Sequence, residues 1–336
     1  MNIKVTSQEV ARHAGVSQSA VSRVFSGASA SKATIAKVHD AANRLGYRPN
    51  SLARAMITGK TRIIGLVVSY LENQFYPVAL ERLSNALQKR GYHILVFMAE
   101  NEQERVEDVV AELLDYQVDG IITASVSISS NLTQRCAKSG IPVVMFNRAQ
   151  PRSGHSSVTS ANVEGGRKVA NFLVKSGHHR IAHIAGWKGS STGRDRLQGF
   201  IDGLKEHGQA PIDIIDGMFN RNIAAEATQI LMQRQTKPDA IFVANDHMAF
   251  AVLDILRQGL GVRVPQDISV VGYDDVPMAS WAAYDLTTVR QPVNRMVDAT
   301  IDTLLANIQD PECPIQTIEI DGPLIIRGST RSLKGA

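Results

Sequence analysis

The sequence predicts an α/β protein with three parts: an N-terminal three-helix helix-turn-helix head, a hinge segment, and two doubly wound parallel α/β lobes. Two observations support this fold class. Helix start and stop signals delimit short helices near the N-terminus. From Arg62 onward, short apolar runs alternate with amphipathic stretches of about 10–15 residues, which is typical of parallel strands joined by helices. Such units are too numerous for one modest domain, so we expect two lobes.

The head is predicted to span residues 1–49. Thr6-Ser7-Gln8-Glu9 has the form of a capping box, so a helix should begin there. Gly15 should end this helix, because the tight turn needs a residue that tolerates positive φ. Ser17 is a suitable N-cap for a second helix, and a third helix is expected over about Ser31–Leu45. Two short helices joined by Gly15, Val16 and Ser17 predict a helix-turn-helix.

Helical spacing predicts which side chains of the head face inward. The apolar residues that we expect to be buried are Val10, Ala11, Ala14, Ala20, Val21, Val24, Phe25, Ile35, Val38, Ala42 and Leu45. The outer face of the second helix then carries Gln18, Ser19, Ser22, Arg23 and Ser26. Small polar side chains allow close approach to base edges, and Arg23 can form a bidentate pair with guanine, as Gln18 can with adenine.

Charge is distributed unevenly along the chain. The net charge is +4, but residues 1–60 carry nine Lys and Arg against only Glu9 and Asp40, which leaves the remainder at −3. A basic head on a mildly acidic body predicts a polyanionic partner for the head alone. The alternative interpretation of this charge, taken by itself, is a solvated basic surface.

The body is predicted from the alternation of its apolar and amphipathic segments. The expected strands are Ile63–Val68, His93–Ala99, Gly120–Thr123, Val143–Phe146, Arg180–Ala185, Ile212–Ile215, Ala240–Val243 and Ser269–Gly272. The expected helices are Pro77–Arg90, Glu102–Tyr116, Leu132–Ser139, Val163–Lys175, Asp195–His207, Ile223–Arg234 and Met248–Gln258. In such folds ligands bind at the carboxyl ends of the strands, so the cleft between the lobes is the expected site.

Signatures of an enzyme are absent from the sequence. No G-x-G-x-x-G motif occurs, and the glycine-rich segment Gly186–Gly193 is followed by Arg194-Asp195, where a phosphate-binding loop needs Lys and then Ser or Thr. No metal site is expected, because three histidines of one predicted strand would diverge; they are His178, His179 and His183. No cofactor is expected either.

Location is also constrained by composition. Only Cys136 and Cys313 are present, which fits reduced thiols and excludes a cysteine-rich zinc module. No apolar run approaches the roughly 18 residues of a membrane span, and the N-terminus lacks the apolar segment of a signal peptide. We therefore expect a cytoplasmic protein without a membrane partner.

Two segments of the head resemble the LacI/GalR family of bacterial transcriptional regulators. They are Glu9–Val24, with the sequence EVARHAGVSQSAVSRV, and Gly46–Met56, with the sequence GYRPNSLARAM. The resemblance implies that the base-reading residues are Gln18, Ser19 and Arg23. It implies that the contacts to DNA phosphates are made by Thr6, Ser17, Ser22 and Asn50.

Residues 50–61 resemble the hinge helix of the same family, which forms on operator binding and inserts a side chain into the minor groove. The family usually has Leu at the inserting position, whereas this chain has Met56, with Ala53 nearby. Met is apolar and flexible, and it can wedge between base steps. A plain linker is the alternative, and both can hold, because a helix of this length is marginal without DNA.

The body resembles the same family through Leu324–Thr330, so the resemblance covers essentially the whole chain, and the body is similar to periplasmic sugar-binding proteins. It implies a first lobe of about residues 62–160 and 292–322 and a second of about 162–290 and 323–330. It implies that the effector-binding residues are Phe75, Tyr76, Asn147, Arg148, Thr192, Arg196, Phe219, Asn245, Asp246 and Asp274. Arg, Asp and Asn at strand ends suit a ligand rich in hydroxyls.

Other roles are open for several of these residues. Asp274 can cap a helix, Arg196 can form a salt bridge, and the aromatic pair Phe75 and Tyr76 can pack within a lobe instead of stacking on a ligand. Two positions depart from the family pattern, which often has Asp where this chain has Ala161 and Asn147. The first departure suggests a missing contact where the chain crosses between lobes.

These observations predict a sequence-specific transcriptional regulator that binds a palindromic DNA operator as a homodimer, with repression as the main interpretation and activation as an alternative. A small-molecule effector is expected, with a sugar or sugar derivative first and a nucleobase second. Two other classes are open at this point: a solute-binding protein without DNA function, and an enzyme that acts on a sugar in the cleft.

Overall fold

A computed structural model describes residues 5–26, 28–48, 59–99, 103–126, 130–150 and 153–331. The chain divides into two compact units, Met1–Thr61 and Arg62–Ala336. The predicted contacts of Asn50, Ala53 and Met56 lie outside the described residues and stay predictions.

The smaller unit contains α1 (Ser7–Ala14), α2 (Gln18–Ser26) and α3 (Lys32–Leu45). The predicted capping box is confirmed, because the Thr6 hydroxyl accepts from the N–H of Glu9 while the Glu9 carboxylate accepts from the N–H of Thr6. Gly15 ends α1 with φ of 64°, and the Ser17 hydroxyl accepts from the N–H of Ala20 at the start of α2. Both helix ends are therefore set by local hydrogen bonds.

The core of this unit is formed largely by the predicted residues. Its buried members are Val10, Ala11, Ala14, Val21, Val38, Ala41 and Ala42. Ile35 was predicted to face inward, but it is 37 % exposed, and Ala41 is buried instead. The prediction at Ile35 was wrong because the buried positions of α3 begin at Val38, so the first turn of the helix lies at the edge of the core.

The larger unit contains two six-stranded sheets. The strands are β1 (Ile63–Val68), β2 (His93–Met98), β3 (Gly120–Ala124), β4 (Val143–Phe146), β5 (Ser156–Ser160), β6 (Ile181–Ala185), β7 (Asp213–Asp216), β8 (Ala240–Val243), β9 (Ser269–Asp274), β10 (Thr287–Arg290), β11 (Thr317–Ile320) and β12 (Leu324–Ile325). The first sheet has the order β11-β5-β4-β3-β1-β2, and the second has the order β12-β10-β9-β8-β6-β7. All neighbouring strands are parallel except the pair β10 and β12.

Helices flank both sheets. They are α4 (Phe75–Lys89), α5 (Gln103–Asp115), α6 (Ser130–Lys138), α7 (Asn162–Lys175), α8 (Ser191–Lys205), α9 (Arg221–Gln233), α10 (Asp246–Asp254) and α11 (Val293–Gln309). Successive residues of one strand face opposite layers: Leu66 shares a buried cluster with Leu83 of α4, whereas Val67 shares one with Leu113 of α5. The prediction of two doubly wound lobes is confirmed.

The chain passes between the two sheets three times. It crosses at Ala161 between β5 and α7, at Gln291 between β10 and α11, and at residues 321–323 between β11 and β12. Two of the crossings are joined directly, because the N–H of Ala161 donates to the carbonyl of Ile320 at 3.1 Å. Both lobes are therefore built from separated parts of the sequence.

Helices α7 and α8 approach closely at two glycines. A Cβ on Gly199 would lie 1.8 Å from the carbonyl oxygen of Val163, and one on Gly166 would lie 2.2 Å from that of Arg196. Only glycine allows two backbones to come this near. The close approach brings Arg196 of α8 within hydrogen-bond distance of Asn162 of α7, at 2.9 Å.

Several elements were not predicted; they are β5, β10, β11, β12 and α11. Two of them, β5 and β10, have polar sequences. The strand β5 reads SSVTS and resembles a loop, yet all five of its residues are buried. Its hydroxyls have partners inside the protein, since Ser156 Oγ accepts from the N–H of Gln316 and Ser160 Oγ lies 3.3 Å from the Tyr273 hydroxyl. Paired hydroxyls remove most of the cost of burying this strand.

None of the helices in the described ranges combines the length and the apolar character that a membrane crossing requires.

Replacing Gly199 with Ala should destabilise the larger unit. The added methyl group would collide with backbone rather than with a flexible side chain, and overpacking of this kind costs about 1–3 kcal/mol or more. Urea denaturation measures the loss of unfolding free energy. Gly259→Ala is the matched control, because a Cβ there meets nothing closer than 3.9 Å. Equal denaturation midpoints for the two variants would contradict the close packing of α7 and α8.

Candidate functional site

The outer face of α2 presents the four polar side chains predicted to meet DNA. Gln18, Ser19, Ser22 and Arg23 are exposed, whereas Ala20 and Val21 on the opposite face are buried. The Gln18 amide donates to the Ser7 hydroxyl at 3.0 Å, so its orientation is fixed by α1. The face combines a guanidinium, an amide and two hydroxyls on one short helix, which is the chemistry that reads base edges in the major groove.

Two of the predicted phosphate contacts are helix caps. The Thr6 and Ser17 hydroxyls accept from backbone N–H groups at the starts of α1 and α2. Hydrogen bonds from the backbone and the hydroxyl of Thr6 lower the pKa of Glu9, which completes the first cap. Capping leaves each hydroxyl exposed beside a helix N-terminus, where phosphate groups are favoured. Contact of either residue with DNA stays a prediction.

Asp274 is the centre of a buried polar cluster between the lobes. Its Oδ2 accepts from the Asn73 amide at 3.3 Å, and its Oδ1 accepts from the Gln291 amide at 2.7 Å. Asn73 belongs to the first lobe and Asp274 to the second, so this carboxylate joins them. Asp274 has φ of 127°, a conformation that a non-glycine residue adopts only where its surroundings require it.

Arg196 is the buried cation of this cluster. Its Nη1 lies 3.4 Å from Asp274 Oδ1 and donates to the Ala244 carbonyl at 2.6 Å, and its Cζ lies 3.7 Å from the centre of the Tyr273 ring. The Nε of Arg196 donates to Asn162 Oδ1 at 2.9 Å. The guanidinium is therefore held at one position by groups on three elements.

The second buried carboxylate, Asp246, faces the interior of the second lobe. Its Oδ2 accepts from the N–H of Val276 at 3.0 Å, and its Oδ1 accepts from the Thr288 hydroxyl at 2.6 Å. Burial and the nearby charge of Asp274 raise the pKa of Asp246, and burial also raises the pKa of Asp274 despite Arg196. Both Asp246 oxygens thus have partners within the lobe, which favours a structural role.

The neighbouring Asn245 caps α10, since its Oδ1 accepts from the N–H of Met248 at 2.9 Å. Its Nδ2 is buried and has no hydrogen-bond partner among the residues that the structure describes. The amide therefore has a free donor directly after β8.

Asn147 lies directly after β4 with φ of 65°. Its Nδ2 donates to the Tyr76 hydroxyl at 3.2 Å, while its Oδ1 is buried and finds no partner in the described ranges. Tyr76 and Phe75 pack edge to face, and Phe75 stacks on Phe146 with ring centres 6.1 Å apart. Both rings of the aromatic pair are thus occupied within the first lobe.

Within the described ranges, two cavities are lined by residues of both lobes. The inner cavity, of about 330 Å³, is lined by residues that include Phe75, Arg82, Asp274, Asp275, Arg290 and Gln291. The outer cavity, of about 360 Å³, is lined by Tyr70, Glu72 and Arg148 from the first lobe and by Trp187, Phe219 and Asn220 from the second. Thr192 is buried at the start of α8, where its hydroxyl donates to Ser190. Volumes of this size suit a small molecule.

Asn73, Gln291 and Trp187 contribute to the cleft but were missed by the sequence analysis. Gln291 follows a polar strand that was not predicted, so its position at a strand end was hidden. Asn73 and Trp187 lie in loops whose place in the cleft depends on contacts distant in sequence. Ala161 precedes α7 without a side-chain cap, so the position where the family often has Asp leaves that helix end uncapped here.

Two protein-family models match parts of the chain. "Bacterial regulatory proteins, lacI family" matches residues 6–50, and "Periplasmic binding protein-like domain" matches residues 170–330. The chain is 33% identical over 334 residues to the ribose operon repressor of Escherichia coli K12, covering 96% of this chain and 99% of the relative. It is 30% identical over 332 residues to the HTH-type transcriptional repressor PurR of Vibrio vulnificus, covering 98% and 99%.

The chain belongs to the LacI family of bacterial regulatory proteins. Among solved structures, the Lac repressor dimer bound to operator and the anti-inducer ONPF superimposes with a TM-score of 0.87 at 28% identity, covering 98% of this chain and 99% of that one. This LacI-family chain is a sequence-specific DNA-binding transcriptional regulator and not an enzyme. The predictions of fold and of functional class are confirmed, and the solute-binding and enzyme alternatives are not supported.

His183 lies apart from the other two histidines considered for a metal, because His178 and His179 both contact Asp239. His178 lies 3.4 Å from Asp239, whereas His183 packs between Phe200 and Phe242 with Nδ1 2.9 Å from the Phe242 carbonyl. Within the described residues, no group of three potential ligands could hold a metal ion. Burial lowers the pKa of His183 to about 4.

Replacing Arg23 with Ala in this LacI-family head should relax base preference at one position of each operator half-site. A bidentate contact to guanine is worth about 1–3 kcal/mol of discrimination. Selection of binding sites from a random duplex library, followed by sequencing, measures the preference. Arg44→Ala is the control, because Arg44 pairs with Asp40 on α3. An unchanged preference in the Arg23 variant would refute the assignment.

His183 should make the folded protein lose stability in acid. The folded pKa is about 4 and the ordinary value is 6.5, so only the unfolded chain binds a proton between these values. Unfolding free energy should therefore fall as the pH drops through this window, by up to about 3 kcal/mol. Urea denaturation at several pH values should show a shallower fall for His183→Gln, while His207→Gln, at an exposed position, should follow the parent. A parallel fall in all three proteins would contradict the prediction.

Proposed function

We propose that this LacI-family chain represses transcription as a homodimer on a palindromic operator, and that a sugar bound between its lobes sets its affinity for that operator. A two-fold dimer matches a palindrome, because its heads can occupy two half-sites about one helical turn apart. The similar Lac repressor is a dimer on its operator, which supports the same assembly here.

The observation that carries the proposal is a set of buried amide atoms without protein partners at strand ends. They are Asn147 Oδ1, Asn245 Nδ2 and Gln291 Oε1, each unpaired with respect to the described part of the chain. A buried polar group without a partner costs about 1–3 kcal/mol, so these atoms favour a ligand that pairs them. Two are acceptors and one is a donor. Hydroxyl groups supply both functions, and sugars carry several in a small volume.

A sugar is favoured over a nucleobase by the state of the aromatic pair. Stacking on Phe75 and Tyr76 was the reason to consider a nucleobase. Phe75 is already stacked on Phe146, and the Tyr76 hydroxyl already accepts from Asn147. The ribose operon repressor, one of the similar proteins, is named for a sugar. The polar residues Asp274, Arg196 and Asn245 then supply recognition.

Contacts between the lobes explain how such a ligand could change the arrangement of the two lobes. Asn73 donates to Asp274, and the N–H of Ala149 donates to the Ser191 hydroxyl at 3.0 Å, so residues near the cleft already couple the two lobes. A ligand that binds one arrangement of the lobes more tightly shifts the population toward it by its differential affinity. The minor-groove role of Met56 in the hinge stays a prediction.

Replacing Asp274 with Asn should remove the effector response and leave operator binding intact. The substitution changes the central acceptor of the cleft, whereas the base-reading face belongs to a separate unit. Fluorescence anisotropy with a labelled operator, with and without a sugar selected by thermal shift, measures the effect. In the parent we expect the operator Kd to change by about tenfold on adding sugar, which is typical of coupling between sites.

Asp267→Asn is the matched control, because Asp267 is an exposed carboxylate paired with Arg263. Its sugar response should equal that of the parent. A normal response in the Asp274 variant would mean that the effector binds elsewhere. Loss of operator binding without sugar would mean that Asp274 supports the fold rather than the response.

A further inference from the structure

The glycine-rich segment Gly186–Gly193 has a role other than phosphate binding. A Cβ on Gly186 would lie 2.2 Å from the ring of Phe219, and a Cβ on Gly189 would lie 2.3 Å from the ring of Trp187. Each aromatic ring therefore rests directly on a glycine backbone, as no other residue would allow. Both rings line the outer cavity. The segment therefore supports two aromatic side chains at the edge of the cleft.

The loop that carries Phe219 is held in an unfavourable conformation. Met218 and Phe219 have φ of 56° and 55°, in the left-handed region that non-glycine residues avoid. The N–H of Met218 donates to Asp216 Oδ1, and the N–H of Asn220 donates to the Gly217 carbonyl, so the turn is held from both sides. Such positions are energetically unfavourable and cluster at ligand clamps. The two hydrogen bonds hold the turn in this conformation, which places the Phe219 ring at the cavity.

Polar groups from the first lobe face these rings across the outer cavity. Glu72 and Arg148 line it together with the hydroxyl-bearing Tyr70, and the Arg148 guanidinium lies 5.6 Å from the centre of the Trp187 ring. Burial raises the pKa of Tyr70, so its phenol stays neutral and can donate. Aromatic surfaces bordered by donors and acceptors suit a ring with an apolar face and hydroxyls on its edge.

The outer cavity adjoins the central polar site. Tyr70, which lines this cavity, packs against Tyr76 with ring centres 5.4 Å apart, and the Tyr76 hydroxyl accepts from Asn147. Arg148 directly follows Asn147, and Phe219 was itself expected to contact the effector. A ligand held by Asp274, Gln291 and Asn245 has its polar partners at the centre of the cleft. The two cavities share no lining residue, so a second ligand ring is needed to use the outer one.

We propose that the effector is a sugar of at least two rings, with one ring held by the central polar groups and the next lying against Trp187 and Phe219 in the outer cavity. This inference rests on the proposed function, because it names the substrate class of the same cleft. It assigns to Trp187, whose ring lies against Gly189, the role of distinguishing a two-ring sugar from a single ring.

The fluorescence of Trp187 can report a ligand in the outer cavity. The chain has two tryptophans, Trp187 and Trp281, and Trp281 is 55 % exposed. In Trp281→Phe, tryptophan emission reports Trp187 alone. Titration with cellobiose, maltose, lactose, trehalose and sucrose, against glucose, galactose, fructose and ribose, should shift the emission for at least one disaccharide. Its component monosaccharides should leave the emission unchanged even at concentrations where thermal shift shows that they bind.

Affinity measured by calorimetry separates the two parts of the site. Trp187→Ala should lower the affinity for the disaccharide by about tenfold or more, because an aromatic contact surface is lost. The same variant should retain the parent's affinity for a monosaccharide. Asp274→Asn should lower the affinity for both the disaccharide and the monosaccharide. Trp281→Ala should leave both affinities unchanged. A Gly189→Ala variant should reproduce the Trp187 effect, because the added methyl displaces the ring without removing it.

The outcomes are distinguishable from those that test the proposed function. If a monosaccharide binds as tightly as every disaccharide that contains it, the inference is overturned while a sugar effector stands. If a disaccharide binds equally well to the parent and to Trp187→Ala, Trp187 has no part in recognition and the inference also fails. If no sugar of either kind binds, the proposed function falls, and this inference falls with it.

Discussion

The hydrogen bonds that converge on the buried carboxylate of Asp274 determine the geometry of the cleft. Their donors come from the first lobe at Asn73, from an interlobe crossing at Gln291 and from α8 at Arg196. Removing a buried charge from its partners is strongly unfavourable, so these elements must keep their relative positions while the cleft is closed.

Glycines make this arrangement possible by letting groups approach closely. The contact of α7 with α8 at Gly166 and Gly199 brings Arg196 next to Asn162, and Gly186 and Gly189 bring two aromatic rings against backbone. In both places the sequence omits a side chain so that another one can be fixed. A LacI-family cleft built this way obtains rigid polar groups at its centre and rigid rings at its rim.

Local signals in the sequence were sufficient for much of the fold. The capping box at Thr6, the stop at Gly15 and the bounds of strands such as β1, β4 and β8 depend on neighbouring residues, and they were predicted correctly. The buried strand Ser156–Ser160 was missed because its hydroxyls find partners far along the chain, which no local pattern reveals. Ile35 was misplaced because helical spacing alone does not fix at which turn a helix begins to pack against the core.

The residues of the site divide in the same way, into those that the sequence identifies and those that only distant contacts identify. The strand-end residues Asn245 and Asp274, and Arg196 within α8, were identified from the family resemblance and from their chemistry. The roles of Asn73 and Trp187 depend instead on contacts across the cleft. Asp246 illustrates the opposite case. Its position at a strand end suggested ligand contact, yet both of its oxygens are used inside the second lobe. Position along the chain therefore identifies candidates. The two carboxylates differ in where their partners lie, because those of Asp246 belong to one lobe whereas Asp274 also accepts from Asn73 of the other lobe.

The third crossing between the lobes has a consequence for the order in which the protein can fold during synthesis. Helix Val293–Gln309 and strand Thr317–Ile320 complete the first sheet, although the chain has by then traversed most of the second. The N-terminal head can fold as soon as it leaves the ribosome, since its contacts are local. The first lobe instead stays incomplete, with an open edge beside Ser156–Ser160, until nearly the whole chain has been made. A nascent chain stalled before residue 317 would expose that edge, so translation rate and chaperone access should matter more for this lobe than its mature stability suggests.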